Sequence, residues 1–234
     1  HIVCGWEMPN DDQPRSDGEL VLPALQARSR GSLNRILEAA EAVLRDDDLE
    51  AFSIVRISEI SGVSLGGIYR RVKGKAELLQ AVKERITMRI ETAVQAALVG
   101  RAFETFAQMT EAFVGALQET FVPNARILAN LGTFGETRAV MRARDESGLA
   151  TLGEAFREAV APLFNPPYDE AANAAAMVAF EFISASVIST TRRVIPPELD
   201  SAFVGREVAT AGALYLEAVN ARRLRAAGGA AHAD

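Results

Sequence analysis

Residues 57–75 read Ile-Ser-Glu-Ile-Ser-Gly-Val-Ser-Leu-Gly-Gly-Ile-Tyr-Arg-Arg-Val-Lys-Gly-Lys, and this stretch decides the fold. A short helix with Ile57 and Ile60 on its apolar face meets Gly62, and a second short helix follows, opened by Ser64. Glycine adopts the left-handed backbone of a tight turn at no steric cost. The pattern predicts a helix-turn-helix, whose second helix enters the major groove of DNA.

The charges of this stretch point the same way. Residues 64–75 contain Arg70, Arg71, Lys73 and Lys75 and no acidic residue. A serine at the start of a helix accepts a hydrogen bond from a free backbone N–H, and the positive end of the helix dipole suits a phosphate. The segment therefore predicts a surface that contacts DNA. On its inner side we expect Val63 and Ile68 to pack against the first helix.

The same residues carry a family resemblance. Residues 61–79 resemble the N-terminal signature of the TetR family of transcriptional regulators, which reads roughly Ala-Gly-Val-Ser-x-Gly-Thr-Leu-Tyr-x-Tyr-Phe-x-x-Lys-x-x-Leu. The matching positions are Gly62, Val63, Ser64, Gly66, Tyr69, Lys75 and Leu78. The resemblance is strong over about residues 30–80, and beyond them only the length and the helical character agree. It implies phosphate contacts from Tyr69 and Lys75, and base reading by the second helix.

We therefore expect base readout by Arg70 or Arg71 together with residues 65–67. An arginine that faces a guanine edge contributes about 1–3 kcal/mol of discrimination. The complete set of predicted DNA-binding residues is Arg56, Ser64, Leu65, Gly66, Gly67, Tyr69, Arg70, Arg71, Lys73 and Lys75.

Three positions depart from the family pattern. Gly67 replaces a hydroxyl residue, which removes one phosphate contact and weakens the helix by about 1 kcal/mol. Val72 stands where a large aromatic residue usually packs, and Arg56 stands where an acid is common. These departures leave an alternative open, in which the chain is a helical small-molecule-binding protein with a weakened or lost DNA-binding head.

The net charge of −6 is unevenly distributed. Residues 26–89 contain 12 Lys and Arg against 9 Asp and Glu, whereas the rest of the chain contains 13 against 22. A mildly basic end on an acidic body fits a local DNA-binding module, because phosphate attraction acts over about 8–10 Å at physiological salt. The acidity argues against nonspecific coating of nucleic acid or of an anionic membrane.

The histidine and cysteine content restricts the chemistry. The two histidines, His1 and His232, lie in the terminal segments, and Cys4 is the one cysteine. Nucleophilic sites that need histidine and zinc sites of the His and Cys type are therefore excluded from the folded body. A carboxylate-based enzyme is the remaining catalytic option, and no paired-acid motif supports it. We expect no enzyme activity, no cofactor and no metal.

The pattern along the chain predicts an all-α protein of about nine helices in two domains. Apolar residues at helical spacing predict a first helix over residues 32–46, capped by Ser32, and a long helix over 76–97 that leaves the first domain. The predicted order is a disordered tail (1–27), a three-helix helix-turn-helix DNA-binding domain (28–78), a helical ligand-binding and dimerisation domain (79–225) and a disordered tail (226–234). Whether the first tail is native stays open. No secretory signal is recognisable in residues 1–27, which favours a cytoplasmic protein.

The second domain carries two further predictions. Aromatic and methionine side chains with a few polar groups suit an apolar effector pocket; the candidates are Phe106, Met109, Phe113, Phe134, Arg138, Met177, Phe180 and Glu181. The last two long helices, 169–191 and 198–221, carry small residues that let helices approach closely, as in a four-helix interface between subunits. An interior helix pair of a monomer is the alternative. The candidate interface residues are Ala176, Ile183, Val187, Val208, Gly212 and Tyr215.

Together these patterns predict a ligand-responsive homodimeric repressor. Its expected partners are double-stranded operator DNA of two-fold symmetry, a second copy of the chain and an unidentified small molecule, without a membrane. Activator action also remains open, because a fold does not determine the sign of regulation.

Overall fold

The structure is a computed structural model that describes residues 18–47, 49–133, 138–165, 168–192 and 200–230. These residues form nine α-helices and short 3-10 turns, and none of them lies in a β-strand, which confirms the predicted all-α fold. The helices are α1 (Gly18–Asp46), α2 (Ile54–Ser61), α3 (Leu65–Tyr69), α4 (Lys75–Leu98), α5 (Phe106–Phe121), α6 (Ala125–Thr133), α7 (Arg138–Val160), α8 (Glu170–Arg192) and α9 (Ser201–Ala230).

The second half of α1 packs with α2 and α3 into a small head. Its core contains Ile36, Leu44, Phe52, Ile57 and Ile68, all of which are almost fully buried. Burying an aliphatic or aromatic side chain of this size stabilises a fold by about 1.5–3 kcal/mol. Because α3 has only five residues, this packing holds it in place rather than its own helical propensity.

Two helix ends differ from the prediction. Helix α1 begins at Gly18, well before the predicted cap Ser32, and α9 continues to Ala230. Leucine, alanine, glutamine and arginine are good helix formers and dominate residues 19–30, and alanine is abundant after residue 225. The chain is therefore helical over 18–27 and 226–230, where we expected disorder, while residues 1–17 and 231–234 lie outside the described residues.

Helix α4 belongs to both the head and the body. Its buried residues Leu79, Val82, Ile86 and Ile90 recur at helical spacing, and it packs against α1 on one side and against α5 and α7 on the other. Helix α4 therefore connects the body to the head.

The centre of the body is a cluster of three aromatic rings. The ring centroids of Phe113 on α5 and Phe156 on α7 lie 4.9 Å apart, and Phe180 on α8 lies 5.8 and 5.9 Å from them. Tilted and edge-on pairs at these distances contribute about 0.5–1.5 kcal/mol beyond their buried area. The cluster joins α5, α7 and α8 into one core.

Helix α9 lies unusually close to α5 and α8. A Cβ atom at Gly212 would lie 2.5 Å from Cδ1 of Ile183, and one at Gly205 would collide with the side chain of Gln118. Across the same seam the hydroxyl of Thr110 donates to the carbonyl of Ala209 at 3.0 Å. The small residues of α9 therefore serve packing within one chain.

One helix is long and apolar enough to cross a membrane. Residues Glu170–Ser189 of α8 have a mean hydropathy of 1.6. One face of this helix packs against α5, α7 and α9. A core helix meets the same criteria of length and composition, so this observation is weak evidence for a membrane span.

Candidate DNA-binding surface and effector cavity

The turn between α2 and α3 is fixed by its own hydrogen bonds. Gly62 ends α2 with φ of 65°, in the left-handed region that favours glycine. The hydroxyl of Ser58 donates to the carbonyl of Val63 at 2.7 Å, and the hydroxyl of Ser61 accepts from the N–H of Val63 at 3.2 Å. These contacts orient the start of α3 relative to α2, as the sequence predicts for a helix-turn-helix.

Helix α3 begins with the predicted cap, in which the hydroxyl of Ser64 accepts from the N–H of Gly67 at 3.2 Å. Gly67 itself is buried, and a Cβ atom there would lie 2.9 Å from Cγ1 of Val63. We expected Gly67 on the DNA-contacting surface, and this expectation is wrong. The absence of a side chain lets Val63 pack against the backbone of α3.

The outer surface of the head combines cations with apolar groups. The predicted residues Arg56, Ser64, Gly66, Arg70 and Lys73 are exposed, as are Leu65 at 41% and Tyr69 at 55%. Ile60 is 48% exposed, although we expected it to pack inward. The buried residues of α2 are Ile54, Ile57 and Ser61, so Ile60 lies outside the inner face of this short helix.

Two of the predicted DNA-binding cations make contacts inside the head. A guanidinium N–H of Arg71 donates to the carbonyl of Gly67 at 2.8 Å, which closes the end of α3. The ammonium of Lys75 donates to the carbonyl of Leu49 at 2.9 Å and lies 5.6 Å from the ring centroid of Phe52. Both side chains are partly buried. They position α3 and α4, whereas Arg70 and Lys73 point charge outward.

A cavity of about 260 Å³ lies in the body between α4, α5, α6, α7 and α8. Most of its wall is apolar, and Lys83, Thr87, Glu91 and Asp145 supply the polar groups. The first three recur every fourth residue of α4, so they lie on one face of that helix. Polar residues at this four-residue spacing beside an apolar stripe were the sequence signal for this cavity. The prediction relied on aromatic and methionine residues instead and did not include them.

The predicted ligand residues do not line this cavity. Phe106, Met109 and Phe113 are buried core residues, and Met177, Phe180 and Glu181 border a separate depression of about 450 Å³ on the surface between α7 and α8. Aromatic and sulfur-containing side chains are the best fillers of a core, so they were used for packing. Phe134 and the side chain of Arg138 lie outside the described part of the chain.

The predicted dimer interface also has to be corrected. Ala176, Ile183, Val187, Val208 and Gly212 are buried within the chain, and Tyr215 is partly buried. The five buried residues serve packing within the chain and are not available to a partner, whereas Tyr215 keeps partial exposure. The large apolar residues exposed on α8 and α9 are Val178, Phe182, Phe203, Leu214 and Leu224.

One known family matches the sequence of the head. Residues 36–82 match the family of bacterial regulatory proteins called the tetR family, and this segment covers the second half of α1, α2, α3 and the start of α4. No curated protein matches the sequence as a relative.

Solved structures share the fold over most of the chain at low sequence identity. The fatty acid degradation regulator FadR from Bacillus halodurans superposes with a TM-score of 0.59 at 13% identity, over 77% of this chain and 94% of that chain. A TetR transcriptional regulator from Rhodococcus sp. RHA1 gives 0.50 at 14%, over 81% and 97%. The matched head confirms the resemblance seen in the sequence: residues 36–82 form a helix-turn-helix of the tetR family type, and the chain shares its fold with solved structures of regulators.

Proposed function

We propose that the protein is a cytoplasmic, homodimeric repressor that releases a palindromic operator when a small molecule enters the body cavity. One observation carries the proposal: α4 lines the cavity with Lys83, Thr87 and Glu91, and its first residue, Lys75, donates a hydrogen bond to the carbonyl of Leu49 in the head. A single rigid helix thus joins the effector site to the DNA-binding surface. A coupling free energy of about 1–3 kcal/mol is sufficient for a useful switch.

The DNA contacts of the proposal come from the exposed side of the head. Leu65 on α3 and Arg70, which follows it, read bases. Tyr69 and Lys73 contact phosphates. The two departures on which the lost-head alternative rests do not remove groups from this surface, since Gly67 and Val72 are both buried in the head. The exposed cations and the intact turn favour an active DNA-binding module.

The dimer contact of the proposal uses the exposed faces of α8 and α9. Val178 and Phe182 are one helical turn apart on α8 and are 52% and 46% exposed, while Phe203 and Leu214 on α9 are 40% and 59% exposed. Neighbouring helices that leave large apolar side chains in water favour association with a second copy. A two-fold axis there presents two heads to DNA, with half-sites about 34–36 Å apart or at a multiple of that spacing.

Selection of random DNA by the purified protein tests the operator. We expect a two-fold symmetric motif at about 150 mM salt, where nonspecific phosphate binding is weak. Arg70→Ala should weaken binding to this motif by about tenfold or more, since one arginine–guanine contact contributes about 1–3 kcal/mol. Arg222→Ala, which changes an exposed arginine of α9, is the matched control and should bind normally. Selection without an enriched motif would favour the alternative of a ligand-binding protein with a lost head.

Sedimentation tests the dimer. Phe182→Glu places a charge in the proposed interface and should produce a monomer at micromolar concentration. Val99→Glu changes a residue of similar exposure at the end of α4 and should leave the dimer intact. A dimer that survives Phe182→Glu and Leu214→Glu together would contradict this interface.

A further inference from the structure

The body cavity has room for one small molecule. Its volume of about 260 Å³ is close to the lower end of the range of small-molecule sites, which begins at about 300 Å³. The apolar part of its wall consists of Ile90, Phe121, Leu128, Leu149, Leu152 and Ile188. A ligand that matches this wall has an aliphatic or aromatic body.

The polar end of the cavity contains an asymmetric ion pair. The ammonium of Lys83 on α4 pairs with the carboxylate of Asp145 on α7, but the lysine side chain is 10% exposed and the aspartate side chain is 51% exposed. The lysine has therefore left water, and the aspartate has not. An unpaired buried ammonium costs several kcal/mol, whereas a half-exposed carboxylate is readily solvated when its partner leaves.

Arg144 on α7 holds the two other carboxylates of α4 near the cavity. Two guanidinium nitrogens of Arg144 donate to the two carboxylate oxygens of Glu91 at 2.8 and 3.0 Å, and a third donates to Glu84 at 2.6 Å. These hydrogen bonds raise the pKa of Arg144 further above its ordinary value, so the guanidinium stays charged. Glu91 borders the cavity with its charge compensated by this bidentate pair.

The asymmetry of the ion pair discriminates between effector charges. A cationic ligand at Asp145 would displace Lys83 and leave a buried ammonium without a partner. An anionic ligand at Lys83 would displace Asp145, whose carboxylate then turns into water at little cost. The cavity therefore favours an anion over a cation of the same shape.

We propose that the effector is a small amphiphilic anion, such as a monocarboxylate with an apolar body, whose negative group replaces Asp145 as the partner of Lys83. This inference rests on the proposed role of the cavity as the effector site. The exchange also has a mechanical result, because Lys83 belongs to α4 and Asp145 to α7. Ligand binding removes one of the three ion pairs that join these helices in the described part of the chain, and the pairs of Arg144 with Glu84 and Glu91 remain.

Calorimetry on the full chain with three probes of one shape tests the charge preference. Octanoate, octanol and octylamine share an aliphatic body that suits the cavity and differ in the head group. We expect octanoate to bind at least about tenfold more tightly than octanol, as a charge-assisted hydrogen bond implies, and octylamine to bind most weakly. Octylamine binding as tightly as octanoate would overturn the proposal.

Two variants of the ion pair test the exchange, because they should act in opposite directions. Lys83→Met should reduce octanoate affinity to about that of octanol while octanol still binds, which shows that the cavity is intact. Asp145→Asn removes the competing carboxylate and should tighten octanoate several-fold. If both variants weaken octanoate equally, the pair is merely structural and the proposal fails.

The outcomes separate this inference from the proposed function. Octanoate binding is measured without DNA, so failure of operator binding would overturn the repressor proposal and leave the anion site standing. If octanoate binds through Lys83 but operator affinity does not change, the proposal that ligand binding releases α4 from α7 is wrong.

Discussion

The side-chain amide of Asn130 on α6 donates to the carbonyl of Leu44, near the end of α1, at 2.8 Å, and to the carbonyl of Asp47 at 3.2 Å. Carbonyls in the last turn of a helix have no partner within the helix, so this amide caps α1 from outside. Helix α6 also lines the body cavity with Ala125 and Leu128. The cavity is thus connected to the head by α6 as well as by α4.

We expect Asn130→Ala to uncouple the head from the cavity. Loss of two hydrogen bonds at the end of α1 should lower the free energy of unfolding by about 1–2 kcal/mol, and effector binding should change operator affinity less than in the unaltered protein. Fluorescence anisotropy of labelled operator with and without effector measures the coupling.

The control for this variant is Asn124→Ala. Asn124 makes a similar bond, since its amide donates to the carbonyl of Thr120 at 2.8 Å, but this bond stays within the end of α5. We expect a comparable loss of stability and unchanged coupling. Equal coupling in both variants would show that α6 does not transmit the signal.

Adjacent glycines of α3 should respond to alanine with opposite sign. Gly66→Ala adds a methyl group on the exposed side, 3.8 Å from the guanidinium of Arg70, and should stabilise the protein by about 0.5–1 kcal/mol. Gly67→Ala forces Val63 to shift and should destabilise it by about 1–3 kcal/mol. Urea denaturation of the two variants checks both signs. Stabilisation by Gly67→Ala would show that Val63 can move without cost.

Glu41 on α1 is 4% exposed and lies among three arginines. Its carboxylate accepts from Arg89 at 2.8 Å and lies 3.3 Å from Arg85 and 4.0 Å from Arg45. Arg85 and Arg89 belong to α4, so this cluster ties the head to α4. Glu41→Gln should lower the free energy of unfolding by about 1–3 kcal/mol, less than a fully buried pair because the arginines reach water.

Glu38→Gln is the matched variant for this cluster. Glu38 contacts the same Arg85 at 3.4 Å, but its side chain is 62% exposed. An exposed ion pair contributes between about 0 and 1 kcal/mol, so thermal unfolding should hardly change. Similar losses in the two variants would mean that burial of Glu41 adds nothing.

Asp169, which precedes α8, should contribute an acid-sensitive part of the stability. Its hydrogen bond from Arg223 on α9, and a second bond from the N–H of Ala172 at 2.8 Å, hold its pKa below the ordinary value of 3.8. A carboxyl whose pKa is lower in the folded state stabilises the fold above its unfolded pKa, and this contribution disappears as pH falls through the folded pKa.

We expect Asp169→Asn to have a lower free energy of unfolding than the unaltered protein at neutral pH. This difference should disappear in acid, below the ordinary carboxyl pKa range. Denaturation curves at several pH values measure this difference. Arg223→Gln removes the other partner of the ion pair, so Asp169→Asn should cost less stability in that background. A difference that does not depend on pH would assign the effect to helix capping alone.

The head could be read from the sequence because its determinants are local. Gly62, Ser64 and Ile68 act on neighbours within a few residues, so their spacing predicts both the turn and the inner face. Gly67 was misjudged for the opposite reason: its burial depends on how Val63 packs across the turn. A family pattern supplies the residue expected at a position but not the space available to it.

The body was predictable in its helices and not in its faces. Small residues such as Gly212 allow close approach to any helix, and the sequence alone cannot distinguish Ile183 of the same chain from a side chain of a partner. The position of the cavity depends on which aromatic side chains pack in the core. Phe113, Phe156 and Phe180 pack on one another, and the residual space falls beside the polar face of α4.

A recognition helix of only five residues has a thermal consequence. Such a segment does not stay helical in water by itself, so α3 exists only while α1 and α2 hold it. Partial melting of the head would therefore abolish operator occupancy while the body stays folded with its ligand. In the proposed repressor, warming alone would then release the operator, through a route that needs no effector.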